Sequence, residues 1–149
     1  MLKTRRFAVV MMVLVAVYAA YYVYFGPRLI GDAFALSLVN FDTAAMDSHL
    51  CENATVASVL NAIGTTDDQM SLMVIAILRG IAPPNVVEAV SASLKATTRY
   101  DPFSGEYGFR LTLGTDVSLI GLRFEEGLTT PEFRLSIQRG LLRPCVMAA

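Results

Sequence analysis

The sequence predicts one α+β domain that follows a single membrane-spanning helix. Residues 7–25 are apolar and uncharged, residues 32–82 repeat apolar side chains every three to four positions, and residues 90–138 repeat them every second position. The first pattern is typical of a transmembrane helix, the second of amphipathic helices, and the third of strands with one buried face. We therefore expect about three helices packed on a four-stranded antiparallel meander.

The transmembrane helix is predicted at residues 7–25. Its nineteen residues cover about 28 Å at about 1.5 Å per residue, close to the thickness of the hydrocarbon core of a bilayer. The basic residues before it are Lys3, Arg5 and Arg6. Because basic residues are retained on the cytoplasmic side, residues 1–6 should be cytoplasmic. Gly26-Pro27 should end the helix and open a linker over residues 26–31, which leaves residues 32–149 as an extracytoplasmic domain.

A cleaved signal peptide is the alternative to this uncleaved signal-anchor. Val17-Tyr18-Ala19 places small residues where a signal peptidase could cut. The apolar region of an ordinary signal peptide has about 7–15 residues. The stretch here is longer and continues past the candidate site, which favours the anchor.

The charge of the chain argues against nucleic-acid binding. The chain has 12 basic and 13 acidic residues, and all of the acidic residues but only nine of the basic ones follow residue 25, a net charge of −4 for that part. Binding to nucleic acid relies on positive surface that displaces counterions. We expect partners of another kind: the lipid bilayer and other membrane proteins.

The three helices of the domain are predicted from apolar side chains that share one face. The first covers Asp32–Leu50 and the second covers Glu52–Ile63, with Gly64 just after its end. The third begins at Thr66, which has a capping-box spacing to Gln69.

The third helix is apolar on all sides between Leu72 and Leu78, with Asp67 and Asp68 in its first turn and Pro83-Pro84 after its end. About a dozen apolar residues are too few for a spanning helix, which needs about 20. We expect either a buried core helix or a helix docked against a partner.

Four strands are predicted from alternating apolar residues. They cover residues 90–100, 107–113, 120–124 and 133–138, and the segment DPFSG at residues 101–105 is a turn between the first two. In the third strand, Ile120, Leu122 and Phe124 should face inward. The apolar face of such a sheet needs a cover, which the helices supply.

The first of these helices resembles the opening of bacterial members of the nuclear-transport-factor-2-like superfamily, which has a cystatin-like roll. The residues that carry the resemblance are Phe34, Leu38, Asp42, Ala45, Leu50 and Cys51. The resemblance implies a strongly curved sheet that forms a cone-shaped roll, in secreted or membrane-tethered proteins of unknown function. Relatives that isomerise steroids use an aspartate and a tyrosine in the cone. Asp42, Tyr100 and Tyr107 are the nearest such residues here, and no motif assigns them a catalytic role.

The only histidine, His49, stands near Asp47 and Cys51. On a helix, residues two apart point about 200° away from each other, so His49 should face neither neighbour. One histidine and two cysteines do not readily supply the three or four ligands of a zinc site. We therefore expect a histidine on a helix flank, and neither a catalytic residue, a metal site nor a cofactor site.

Cys51 and Cys145 are the only cysteines. An even count in an extracytoplasmic domain predicts a disulfide. Its loop of 94 residues would stabilise the fold by about 4–5 kcal/mol in the chain-entropy model. The alternative is two unrelated buried cysteines.

The outward face of the sheet should present a row of basic residues that could contact anionic lipids or an acidic partner: Lys95, Arg99, Arg110, Arg123 and Arg134. Glutamates are interspersed among them, so an ordinary solvated face is the alternative.

These observations predict a non-catalytic, membrane-anchored accessory or assembly subunit of a larger membrane complex. The reasons are the anchor, the apolar third helix and the lack of a recognisable catalytic motif in the sequence. The alternatives are a domain that binds a small apolar ligand in a conical pocket and, with less support, an isomerase-like enzyme.

Overall fold

The structure, a computed structural model, describes residues 2–63 and 68–148. Its helices are α1 Leu2–Ala20, a π-helical turn Tyr21–Phe25, α2 Gly26–Val39, α3 Thr43–His49, α4 Val56–Ile63, α5 Gln69–Leu78 and α6 Pro84–Ser93. Its strands are β1 Leu94–Asp101, β2 Glu106–Leu113, β3 Val117–Leu119, β4 Leu122–Phe124, β5 Phe133–Gln138 and β6 Cys145–Ala148. A four-stranded antiparallel sheet has the order β1-β2-β5-β6, and β3 and β4 form a separate two-stranded hairpin. This α+β layout with an apolar N-terminal helix confirms the predicted fold class.

A single continuous helix connects the N-terminal segment to the domain. Residues 4–39 form a helix of 36 residues that passes through α1, the π-helical turn and α2. The prediction that Gly26-Pro27 ends the helix is therefore wrong, and the predicted linker over residues 26–31 is helical. Pro27 lies inside this continuous helix, separated from the end of the π-helical turn by Gly26 alone.

The π-helical turn changes the backbone hydrogen bonding of the helix directly before this proline. The Gly26 N–H donates to Tyr21 O, five residues back instead of four. Proline has no N–H to offer the carbonyl four residues back, which here is Val23 O. That carbonyl accepts a hydrogen bond from the Tyr100 hydroxyl of β1 at 3.3 Å, so the sheet contacts the helix where its regular bonding changes.

The predicted helix Asp32–Leu50 is two helices. α2 ends at Val39, Phe41 has a left-handed backbone with φ of 53°, and α3 begins at Thr43. The reason is Asp42, whose Oδ1 accepts from Ala45 N at 3.0 Å and caps α3.

The second predicted helix begins later than expected, at Val56 instead of Glu52. Thr55 and Ser58 cap it reciprocally, because each side-chain oxygen accepts from the other residue's backbone N–H. The predicted helix stop at Gly64 and the predicted helix start with Thr66 and Asp67 lie outside the described residues.

The strand predicted at residues 90–100 begins four residues late. Residues 84–93 form α6, which has Pro84 at its first position. Val90 and Leu94 are both buried, and their spacing of four fits a helix face as well as it fits alternation. β1 starts only at Leu94.

The third predicted strand is not part of the main sheet. Ile120 and Gly121 have φ of 54° and 73° and form the two-residue turn of the β3–β4 hairpin. Ile120 and Leu122 are consequently exposed, contrary to prediction, while Phe124 is buried. The fourth strand of the sheet is β6, which the alternation did not reveal because it has only four residues.

The core lies between α2, the other helices and the inner face of the sheet. Phe34 and Leu38 of α2 and Tyr107 and Phe109 of β2 are almost completely buried. Gly31 brings α2 close to β2, because a Cβ at this position would lie 2.4 Å from the Tyr107 ring.

The apolar helix α5 belongs to this core. Six of its ten residues are buried, and Leu72 is the large apolar side chain that it exposes. Its length of ten residues is far below that of a membrane span.

Candidate functional site

Four of the five predicted basic residues share the outer face of the sheet. Arg99, Gly108 and Arg134 are aligned across β1, β2 and β5, and Arg110 lies opposite Thr97. Lys95 is on the same face because it is opposite Thr112. Arg123 is not on this face: it lies in the β3–β4 hairpin, which is a separate sheet.

Acidic residues neutralise part of this basic set. Arg134 is 3.4 Å from Glu106 and 4.0 Å from Glu132, and Arg123 is 2.6 Å from Asp116. Both arginines are largely exposed and their three acidic partners are at least partly exposed, so such pairs contribute little stability. Within the described part of the chain, Lys95, Arg99 and Arg110 have no ion-pair partner. The face is of mixed charge, with three uncompensated cations on its β1 and β2 side.

A groove of about 400 Å³ opens between α2 and the edge strand β1. Its lining residues are Asp32, Ala35, Leu36, Val39, Leu94, Ala96 and Thr98. All of these except Asp32 and Thr98 are apolar. Because β1 is the edge of the sheet, the groove lies at the margin of the core, to which its lining residues Ala35, Val39 and Leu94 belong.

Among the described residues that line the groove, Asp32 is the one with a carboxylate, and both of its oxygens have partners. The Tyr107 hydroxyl donates to Asp32 Oδ1 at 2.6 Å, and Arg28 Nε lies 3.9 Å from Asp32 Oδ2. Burial, and then the hydrogen bond to Asp32, raise the pKa of Tyr107. Tyr107 thus remains protonated and positions Asp32, a structural arrangement that also joins α2 to β2.

The conical pocket of the ligand hypothesis would lie between α2 and the sheet, where buried side chains of the described residues pack against one another. The space between α2 and the sheet is filled by side chains that are almost completely buried, among them Phe34, Leu38, Tyr107, Phe109 and Leu111. The aspartate and the two tyrosines that the family resemblance brought to notice have separate partners: Asp42 caps α3, Tyr100 bonds to Val23 O, and Tyr107 bonds to Asp32.

His49 is the last residue of α3. Its Nδ1 is buried and has no hydrogen-bond partner among the described residues. Partial burial, and then the nearby Arg143 guanidinium, lower the pKa of His49. The cation Arg143 also donates to Ser48 O at 3.1 Å, so the end of α3 contacts the loop between β5 and β6.

The predicted disulfide between Cys51 and Cys145 is present, with a Cα–Cα distance of 5.0 Å. It is reinforced by the Cys51 N–H, which donates to Val146 O at 3.0 Å, and by a parallel bridge between Leu50 and Val146. The segment after α3 is therefore fixed to β6. With its sulfur in the disulfide, Cys51 cannot act as a thiolate beside His49.

Over residues 2–63 and 68–148, no three His, Cys, Asp or Glu side chains come together in a way that could hold a metal ion. The comparisons with protein-family models, with curated proteins and with solved structures give no match. The resemblance to the nuclear-transport-factor-2-like superfamily therefore stays a prediction.

Sequence reasoning missed two features. The pair Asp32–Tyr107 joins residues 75 apart, and only a helix-to-strand alignment, signalled by Gly31 beside Asp32, could have suggested it. The second feature is the loop at residues 139–144, whose Leu141-Leu142 interrupts a polar stretch between two arginines. This pair of leucines was a visible signal.

Proposed function

We propose that this chain is a single-pass membrane protein whose folded domain acts as a non-catalytic accessory or assembly subunit of a larger membrane protein complex. The observation that carries the proposal is the continuous helix of residues 4–39. Its first half is exposed on all sides, and its second half is part of the core. A rigid connection of this kind holds the domain at a fixed height and orientation beside the membrane, as an assembly subunit requires.

The proposed orientation has a cytoplasmic N-terminus and an extracytoplasmic domain. It is supported by the basic residues before the span and by the Cys51–Cys145 disulfide, because disulfides persist in oxidising compartments. Intact mass of the membrane-bound protein and protease access to the domain in sealed vesicles of known orientation test it. A mature chain that begins near residue 20 would instead support the signal-peptide alternative.

The non-catalytic character is supported by what occupies the reactive side chains. Tyr107 and Asp32 are hydrogen-bonded to each other, and Cys51 is in the disulfide. The sequence argument that α5 docks against a partner no longer contributes, because α5 is used in the core. A partner surface has to lie elsewhere.

The best-supported partner surface is the exposed side of α2. Leu29 and Leu36 are seven residues apart, which places them on one helix face, and both are largely exposed. This face continues directly from α1 and borders the groove beside β1. A helix or strand of a neighbouring membrane protein could pack along both.

Purification of the tagged full chain from its native membranes in mild detergent tests the subunit hypothesis. We expect a stoichiometric complex that Leu29→Ser with Leu36→Ser disrupts. The matched control, Leu122→Ser in the β3–β4 hairpin, replaces an equally exposed leucine and should leave the complex intact. A monomer in native gels for the unsubstituted protein would contradict the hypothesis.

Binding of a small apolar ligand is the second candidate function, and the observation that favours it is the largely apolar groove of about 400 Å³. That volume is within the range of about 300–1,000 Å³ that ligand pockets occupy. An environment-sensitive apolar dye should bind the purified protein, and Ala96→Phe should abolish the binding by filling the groove. Equal binding to both proteins would exclude the groove as the site.

A further inference from the structure

One end of the four-stranded sheet carries two loops with apolar tips. The turn between β1 and β2 exposes 97% of Phe103, and the loop between β5 and β6 exposes 80% of Leu141 and 95% of Leu142. These fractions are higher than for any large apolar side chain on α1, where the described maximum is 68% at Met12. Such exposure has a cost in water unless a partner covers the tips.

The two loops are joined to each other. Arg139 Nη2 donates to Pro102 O in the β1–β2 turn. The Ile137 N–H donates to Gly105 O at 2.9 Å. The two tips therefore belong to one surface, which we call the apolar edge and define by Phe103, Leu141 and Leu142.

The apolar edge lies beside the outer end of the proposed span. The Tyr18 hydroxyl donates to Leu141 O at 3.0 Å, and Tyr100, next to the β1–β2 turn, contacts Val23 O. Tyr18 precedes Phe25, the end of the uncharged stretch, by seven residues, or about 10 Å along the helix. If the whole stretch is needed to cross the bilayer, the edge reaches below the membrane surface.

That depth is the deepest limit, and the tyrosines on this part of the helix indicate a shallower one. Tyr18, Tyr21, Tyr22 and Tyr24 all lie in the segment that contacts Leu141 O of one loop and Tyr100, which stands just before the other. Tyrosine is enriched at the level of lipid headgroups. The loops therefore lie at the boundary between headgroups and acyl chains, where irregular backbone can still hydrogen-bond to water and headgroups.

The charges around the apolar edge suit a phospholipid surface. Arg139 and Arg143 flank the two leucines, and each donates to a backbone carbonyl. In the described part of the chain neither arginine has an ion-pair partner, so both keep a positive charge available to phosphate. Asp101, the carboxylate of the turn, accepts from the Phe103 N–H within the turn itself.

We propose that Phe103, Leu141 and Leu142 insert into the interfacial region of the leaflet from which α1 emerges, with Arg139 and Arg143 against lipid phosphates. This inference rests on the proposed membrane span. Together with the helix, the two loops give the domain three points of attachment to the bilayer. The domain then has a fixed tilt as well as a fixed height.

Tryptophan fluorescence of the full chain in phospholipid vesicles tests the proposal, because the chain contains no tryptophan. Phe103→Trp and Leu142→Trp report on the edge. Leu14→Trp reports on the span, and Leu122→Trp, in the β3–β4 hairpin after the opposite end of β2, is the water-exposed control. Vesicles of phosphatidylcholine and phosphatidylglycerol are prepared with and without bromine on the acyl chains, since bromine quenches tryptophan only on contact.

We expect blue-shifted emission and a large loss of intensity in brominated vesicles for Leu14→Trp, Phe103→Trp and Leu142→Trp, and neither change for Leu122→Trp. Quenching of Leu14→Trp without quenching at positions 103 and 142 would overturn the insertion and leave the span in place. Absence of quenching at Leu14→Trp would overturn both. A blue shift at positions 103 and 142 that bromine does not quench would assign the edge to a protein contact and overturn the lipid assignment.

Substitution of the arginines tests the phosphate contact separately. Arg143→Gln should weaken the bromine quenching of Leu142→Trp in vesicles rich in phosphatidylglycerol. Arg110→Gln on the outer face of the sheet removes the same charge away from the edge and should have no effect. Equal effects of the two substitutions would show that only net charge matters and would overturn the assignment of Arg143 to phosphate.

Discussion

The two halves of the long helix use their apolar residues in opposite ways. In α1, all of the described side chains are exposed, although the Tyr18 hydroxyl donates a hydrogen bond to Leu141 O of the domain. In α2, Ile30, Phe34 and Leu38 recur every four residues and are buried against the sheet. The same continuous helix is thus apolar on all sides in α1 and buries an apolar stripe in α2.

This difference shows which part of the helix needs an external apolar phase. A stripe can be covered by one protein surface, whereas a helix that is apolar on all sides needs lipid or a bundle of other helices. The change occurs at the π-helical turn Tyr21–Phe25, where Tyr100 of the sheet first contacts the helix. The boundary between the proposed membrane span and the domain therefore coincides with a change in backbone hydrogen bonding.

The largest expected effect is a difference in the free energy of unfolding between a substitution in α2 and one in α1. Phe34→Ala should lower the free energy of unfolding of the domain by about 3–5 kcal/mol, because it opens a cavity in a fully packed core. Leu14→Ala, in α1, should leave that free energy unchanged. Denaturant unfolding of the full chain in detergent micelles, followed by near-UV circular dichroism, measures both. Equal losses would mean that α1 is packed against the domain.

Removal of the disulfide should destabilise the domain and leave α1 unaffected. Cys51→Ala with Cys145→Ala should cost about 2–5 kcal/mol, since the bond closes a loop of 94 residues between the segment after α3 and β6. The helical signal of α1 in micelles should persist after the domain has unfolded. If the whole helix of residues 4–39 melted together with the domain, the two halves would be one cooperative unit.

A smaller loss of stability is expected from a substitution that disturbs the close approach of α2 to the sheet, and a second glycine of the chain provides the control. Gly31→Ala should cost about 1–3 kcal/mol through overpacking, because the added Cβ would lie 2.4 Å from the Tyr107 ring, which is enclosed by the core. At Gly108 an added Cβ would meet the end of the flexible Glu132 side chain on the surface. Gly108→Ala should therefore be tolerated, and a loss there as large as at Gly31 would refute the packing argument.

Much of this fold could be predicted from residue patterns, because most of its helices and strands are indicated by the spacing of apolar residues within the segment itself. The alternation over residues 133–138 gave β5 correctly, and the burial of Phe133, Leu135 and Ile137 follows from it. The errors arose where two periods coincide, as at Val90 and Leu94, or where one residue caps a helix, as at Asp42. The extension of the helix through Pro27 depends on the π-helical turn and on Tyr100, which is 77 residues from Val23, and no local pattern indicates it.

The features of the candidate site also divide into those that residue patterns predict and those that they do not. The Cys51–Cys145 bond followed from counting residues of one type, and four of the five basic residues followed from alternation. Arg123 was misplaced because the chain turns back after Leu119, so that the strand of Arg123 pairs with β3 in a hairpin and not with the main sheet. The groove, the Asp32–Tyr107 pair and the apolar edge are produced by tertiary contacts between distant segments, which a single sequence does not reveal.

The smallest predicted effect concerns pH at the contact between α3 and the loop that reaches α1. Partial burial and Arg143 lower the pKa of His49 below its ordinary value of 6.5, so folding disfavours the protonated imidazole. This contribution to stability is complete above about pH 6.5 and is lost as the pH falls from there through the lower pKa of the folded state. Thermal unfolding in buffers between about pH 7.5 and about pH 5 should show a decreasing midpoint, and His49→Gln should flatten the part due to His49. Arg143→Gln should reduce it as well, whereas an unchanged pH profile in His49→Gln would assign the loss to other groups.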